Sequence, residues 1–202
     1  MTIGRTRYKT PIGPRSLSKL IWNPWWYPPK SDWAKDAEDT PPGPGNPLGK
    51  VKIPLGGPIL LHGTSKPWSI GRAASHACMR MHNRDIIEIA TWLQNEFSNH
   101  AQNPLALKHQ QFWFRRSYEV PLNRTIPLEI VYQTVEVDGD EIILHHDVYK
   151  RSVDYSDDLV VALARIGIPG VDIDFDRLPE ALPTKGSVRI SIRDILYDSE
   201  LF

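Results

Sequence analysis

The sequence predicts a mainly β fold with flanking helices, an α+β arrangement, and three observations carry that prediction. In "TIPLEIVYQTVEVDGDEIILHHDVY" an Asp-Gly pair at 138–139 joins two apolar runs, the strongest short-range hairpin signal. Residues 1–58 are divided by proline and glycine ("TPIGPR", "NPWWYPPKSDW", "TPPGPGNPLGKVKIPLGGP") into short strands and long ordered loops. Helix signals are confined to two later stretches.

The bulk properties set the limits. A chain of 202 residues suffices for one core-bearing domain plus an appendage. We place the main domain at 1–150 and a small α/β C-terminal appendage at 151–202. Lys+Arg and Asp+Glu both number 24, so no charge bias points to nucleic acid. The basic run "RRSY" at 115–118 is too short for a nucleic-acid patch. Proline numbers 18, about twice ordinary usage, and much of it falls between Pro11 and Pro58. The single cysteine, Cys78, rules out an intrachain disulfide and a thiolate-rich metal site. No run approaches the ~20 apolar residues of a membrane span. The opening "MTIGRTRYKTPIGPRS" has positive charge but no apolar region behind it, so no signal peptide is visible.

The elements follow in order. Trp22, Trp25, Trp26, Tyr27 and Trp33 crowd the proline-rich part. Disordered segments are poor in aromatics, so this part reads as a packed loop layer. "GGPILLHGT" reads as a buried strand at 58–61, bracketed by Gly56-Gly57 and Gly63. Asn83 reads as the N-cap of a helix over 84–97. Ile86, Ile87, Ala90, Leu93 and Phe97 form its apolar face, and Asp85 and Glu88 place negative charge in its first turns. Residues 98–125 read as a polar, basic-aromatic connection. Residues 128–137 and 141–147 are the hairpin strands, "SDDLVVALARIGI" is a capped helix starting after Ser156, and "SVRISIRDI" is a final strand.

The chemistry concentrates in "SHACMRMHNRD", residues 75–85. A thiol attacks a carbonyl as its thiolate, and an ordinary cysteine is mostly protonated at neutral pH. A histidine that takes the proton and amide N–H groups that hold the oxyanion make it useful. The chain offers His62 at a strand end followed by Gly63, His76 two residues before Cys78, and the N–H groups of residues 76–78 ahead of a helix. From the residues alone two readings stand. Cys78 is a nucleophile, or it is a small buried hydrophobe beside a hydrogen-bonded core histidine.

The stretch "LHGTSKPWSIGRAASHACMRMHNRDIIEIA" resembles the signature of the L,D-transpeptidase (YkuD-type) catalytic domain. That signature has a histidine in "HGT", a gap of about fifteen residues, a Ser/Thr-His-Gly-Cys turn, then Arg or Asn and a helix. "TPIGPR", "NPWWYPP", "PPGPGNPLG" and "TIPLEIVYQTV" extend the likeness over residues 2–137. The resemblance implies an L,D-transpeptidase-like β-sandwich. It further implies that Cys78 is the acyl-accepting nucleophile, His62 its base, and His76 a neighbour that orients the turn. The amides of 76–78, with Ala77, Ser75 and Gly63 shaping the turn, would line the oxyanion hole. Trp68 and Asn83 would contact substrate, and the Arg80 guanidinium would hold a substrate carboxylate or brace the loop.

The implied reaction is attack on the third residue of a peptidoglycan stem peptide, loss of the terminal D-alanine and a 3→3 cross-link. Another amine or water would serve equally as acceptor. The expected partner is thus the peptidoglycan stem, with no nucleic acid, no metal or other cofactor, a monomeric state, and an envelope or periplasmic location.

Two departures from the pattern are visible. Ala77 stands where the family keeps glycine, which costs ~1 kcal/mol or more if its φ is positive. The chain opens at "TIGRTRYKTP", where the resemblance implies an upstream hairpin and a signal peptide or anchor, so we expect a late start or missing first strands. The alternative reading is therefore a catalytically impaired, wall-binding or remnant protein; a related cysteine amide hydrolase is a third. Among the remaining candidates, His82, His100 and His109 read as solvated, and "HHD" at 145–147 as a strand-end polar cluster rather than half a metal site. Trp25, Trp26 and Trp68 read as loop packing at least as readily as a stacking surface.

Overall fold

The computed structural model describes residues 1–100, 115–151, 155–168 and 170–197. The chain forms two compact units, Met1–Ile130 and Val131–Phe202. They part upstream of residue 150 because the hairpin at the Asp-Gly turn pairs with the last strand and belongs to the second unit.

The first unit is built on a five-stranded open sheet in the order β6-β4-β3-β2-β7. Its strands are β2 (Gly13–Trp22), β3 (Val51–Pro54), β4 (Leu60–His62), β6 (Met79–Arg80) and β7 (Tyr118–Ile130). All neighbours are antiparallel except β4 and β6. A separate parallel pair joins β1 (Ile3–Gly4) to β5 (Ala73–Ser75). The pairing of β2 with β7 shifts register between Leu17 and Lys19. A shift of this kind breaks the two-residue alternation, so Leu17 and Leu20 both turn inward despite their odd spacing. They meet Val51, Ile53 and the Ile86–Ala90–Leu93 face of helix α1 (Asn83–Phe97) in one apolar cluster. The helix face predicted from spacing is the one that is buried.

Several expectations are corrected in this unit. Trp22 is not in a loop layer; it is fully buried at the end of β2, and its indole N–H donates to Gln94 of α1 at 2.8 Å. Trp25, Tyr27 and Trp33 remain partly exposed. Residues 118–125, read as connection, are the first half of β7 and pair with β2; Pro121 and Pro127 lie on this edge strand, one side of which has no ladder partner among the described residues. The buried strand at 58–61 starts later, at Leu60, and runs through His62. His100 is not solvated, since its Nδ1 meets the Tyr118 hydroxyl at 2.5 Å. His109 lies outside the described residues.

The second unit is a three-stranded antiparallel sheet, order β10-β9-β8, from β8 (Val135–Asp138), β9 (Glu141–His145) and β10 (Ser187–Ser191). The predicted hairpin closes at Asp138↔Glu141, with Gly139 at φ 63°, the left-handed value such turns need. The run at 128–137 is not one strand but is broken between β7 and β8. Helix α2 (Tyr155–Ala164) includes Ser156 rather than starting after it. Leu159 and Leu163 bury against Ile142, Leu144, Ile192 and Ile195. The last predicted strand ends at Ser191 and continues as a short 3-10 helix, Ile192–Ile195. His145 bridges Ser187 and Glu136, and His146 meets the Pro183 carbonyl at 3.0 Å. Among the described residues no helix is long and apolar enough to cross a membrane.

Candidate active site

The parallel pairing of β4 with β6 assembles the site. Its register sets Leu61 opposite Met79 and His62 opposite Arg80. Side chains alternate along a strand, so Leu61 and Met79 enter the core while Leu60, His62 and Arg80 share the other face. Cys78, immediately before β6, falls on that same face. A one-residue slip would send His62 into the core and Leu61 to the site.

His62 is 4% exposed, and its Nδ1 lies 2.6 Å from the Gly63 carbonyl oxygen. A carbonyl only accepts, so Nδ1 carries the proton and Nε2 keeps its lone pair. Burial, with Arg80 and Lys52 nearby, outweighs the backbone carbonyls and holds the imidazole down to about 4. It is therefore neutral at pH 7. Burial likewise pushes the Cys78 thiol above its ordinary value, although Leu60's backbone and Arg80 favour the thiolate. The resting pair is thus a neutral thiol and a neutral base. The thiol donates to the Pro58 carbonyl at 3.5 Å, and no hydrogen bond joins it to either histidine among the described residues.

The turn before Cys78 is closed by the Ser75 hydroxyl, which donates to the Cys78 carbonyl at 2.5 Å. Ala77, inside that turn, has φ 77°. This is the left-handed region that disfavours any residue with a Cβ. The surroundings hold it there: β1 pairs with β5 alongside, and Gly4 runs so close that a Cβ on it would lie 3.1 Å from the Ala77 Cα. The amides of His76, Ala77 and Cys78, three successive N–H groups in the turn that ends at the thiol, donate to no acceptor among the described residues.

Asn83 was expected to cap α1 and to bind substrate. The cap position is His82, and the Asn83 amide is spent on backbone: Oδ1 accepts from Lys50 N–H and Nδ2 donates to the Thr64 carbonyl, each at 2.9 Å. Gly63 and Gly49 are glycines for the same reason, since a Cβ at either would lie 2.2 Å from Asn83 Oδ1. Asn83 thereby ties α1 to the strand end that carries His62. Arg80 makes no ion pair among the described residues, its Nε is buried without a partner, and Arg5 is a second nearby cation. Trp68 sits on a short 3-10 helix, Pro67–Ser69, and is 64% exposed; Thr2 anchors that turn by donating to the Ser69 carbonyl at 2.6 Å. His76 lies between two rings the sequence reading did not single out for the site, Tyr8 and Trp33, with centroids at 4.8 and 3.8 Å. Spacing gave no signal for either, because both arrive from distant segments. Among the described residues no three His, Cys, Asp or Glu side chains group to hold a metal.

A cysteine turn and a buried histidine at adjacent parallel strands define a class of site that holds a thiol and an imidazole on one sheet face. The comparisons then give the family. The model of the L,D-transpeptidase catalytic domain (YkuD) matches residues 1–145, and the chain belongs to that family. It is 46% identical over 55 residues, 27% of this chain and 33% of the relative, to a putative L,D-transpeptidase YkuD of Bacillus licheniformis. It is 27% identical over 133 residues, 55% of this chain and 42% of the relative, to a probable L,D-transpeptidase YbiS of Escherichia coli. A probable L,D-transpeptidase ErfK/SrfK of Escherichia coli is 26% identical over 184 residues, 84% of this chain and 51% of the relative. The chain thus spans between a third and about half the length of these relatives.

Proposed function

We propose that this protein is a cysteine acyltransferase that acts on peptidoglycan stem peptides in the cell envelope. The observation that supports the reading is the parallel register of β4 and β6, with His62 opposite Arg80 and Cys78 just before it, and with three amides in the cysteine turn that donate to no acceptor among the described residues. Substrate entering the site displaces the thiol from the Pro58 carbonyl. Cys78 Sγ then attacks the carbonyl carbon of the third residue, and its proton passes to His62 Nε2. The oxyanion forms against the amides of 76–78. The bond to the terminal D-alanine breaks, His62 returns the proton to the departing amine, and a thioester remains on Cys78. An amine of a second stem attacks the thioester, loses its proton through His62 and regenerates the thiol, leaving a 3→3 cross-link. Water in place of the amine gives a shortened stem.

Arg80, with Arg5 beside it, supplies the unpaired positive charge for a substrate carboxylate. Trp68 offers an exposed ring on the turn that Thr2 ties to the Arg80 backbone. Incubation with a tetrapeptide muropeptide and mass spectrometry tests the reading. Wild type gives cross-linked or shortened product and Cys78→Ala gives none. Equal product from both proteins removes Cys78 as the nucleophile, and product from neither leaves the impaired alternative.

A further inference from the structure

The His76 ring makes no hydrogen bond among the described residues, and two aromatic rings pack against it. Trp33 lies flat on it, with centroids 3.8 Å apart and planes 4° from parallel. Tyr8 meets it at 4.8 Å and 60°. Trp33 does not come from the cysteine turn or its strands. It is carried by a short 3-10 helix, Asp32–Ala34, in the proline-rich loop, and it stays 42% exposed.

That loop is tied across its base by hydrogen bonds. Trp26 and Thr40 exchange backbone hydrogen bonds at 3.0 and 2.9 Å across its base. Asn46, 1% exposed, donates to the carbonyls of Pro24 at 2.9 Å and Thr40 at 3.0 Å. Ala34, beside the tryptophan, is buried at 3%. An indole held on such a base, with one face on an imidazole, lies outside the apolar cluster of the first unit. Its effect falls on the ring beneath it.

His76 is also the residue before the strained Ala77 and inside the turn that Ser75 closes. Restraining its side chain restrains the backbone of the turn that leads into Cys78. We propose that Trp33 is a positioning residue for acyl transfer at Cys78, acting through the His76 ring it covers. The proposal rests on Cys78 being the nucleophile.

The test uses the whole chain with Trp33→Leu and Trp33→Phe, and two readouts. The first is independent of activity: the His76 ring-proton NMR resonance, assigned with His76→Gln, is displaced by the indole ring current. Trp33→Leu returns it to the range of unstacked histidines. The second is turnover of a tetrapeptide muropeptide. Trp33→Leu lowers kcat about tenfold with KM little changed, the size expected when a reacting group is held less well. Trp33→Phe, which keeps a flat ring, recovers most of kcat. An unchanged resonance in Trp33→Leu overturns the stack itself. A shifted resonance with unchanged kcat, or a loss of kcat that Trp33→Phe does not recover, overturns the positioning role. If wild type shows no Cys78-dependent turnover, the functional reading fails and the role falls with it, whatever the resonance does.

Discussion

Ala77 is where residue chemistry and site geometry conflict most sharply. A left-handed backbone costs a residue with a Cβ roughly 1–2 kcal/mol, whereas glycine is free of that cost but loses about 0.5–1 kcal/mol more chain entropy on folding. The first term is larger, so Ala77→Gly raises stability, by roughly 0.5–1 kcal/mol in urea denaturation. Lower stability in the glycine variant would mean that the turn is not strained at φ 77°. Activity separates two further cases: an increase in kcat means the methyl crowds the oxyanion site, and an unchanged kcat means it only strains the backbone.

His62 gives a pH prediction at the same scale. Its folded value, about 4, lies below the ordinary histidine value of 6.5. Between those values the unfolded chain binds the extra proton, so stability rises with pH across the window. The stabilisation is fully present above pH 6.5 and is lost as pH falls toward 4, on the order of 3 kcal/mol in all. Urea midpoints measured from pH 7.5 to 4.5 check this against His62→Gln, whose acid slope is shallower. Identical slopes would place His62 in contact with water.

Element-scale organisation depends on a few side chains that cross between segments distant in sequence. Asn83 is the clearest, joining the first turn of α1 to Lys50 and Thr64 on either side of His62. Removing its amide with Asn83→Ala leaves two backbone groups unpaired and costs about 2–3 kcal/mol. The loss is read as a lower urea midpoint together with a fall in turnover, because the His62 strand end loosens. A stability change below 0.5 kcal/mol would show that water replaces the amide.

Periodicity made α1 legible, and the Asp-Gly pair made the hairpin legible, because both signals are local. Cys78, His62, Ser75 and Gly63 can be proposed as one constellation from sequence because the motif fixes their order. The role of Asn83 was misread because an asparagine before an apolar helix face looks like a cap, and only the tertiary fold reveals the Lys50 and Thr64 groups it serves. The β2–β7 register shift was invisible for the same reason: a shift is a property of two paired strands. Trp33 reads as one more aromatic among prolines, and nothing in its neighbours points to His76, forty-three positions later.

At the scale of the whole molecule the chain carries two separate apolar clusters, one under the five-stranded sheet and one between the hairpin sheet and α2. The family match ends at residue 145, inside the second unit, so its hairpin falls within the catalytic-domain match while α2 and β10 lie beyond it. The second core therefore completes the hairpin's burial with residues outside the match. Leu159→Ala, at a fully buried site, costs about 2–5 kcal/mol. Hydrogen exchange reports it as lost amide protection from β8 through the 3-10 helix at 192–195. Protection lost in α2 alone would show that the hairpin does not depend on it.

The account turns on one bond, the thioester at Cys78. Intact-protein mass spectrometry after mixing with a tetrapeptide muropeptide tests it directly. A gain equal to the stem less one D-alanine, mapped to Cys78 and absent from Cys78→Ala, is the predicted result. D-alanine released equally by both proteins, or no adduct under conditions where the muropeptide binds, would contradict it.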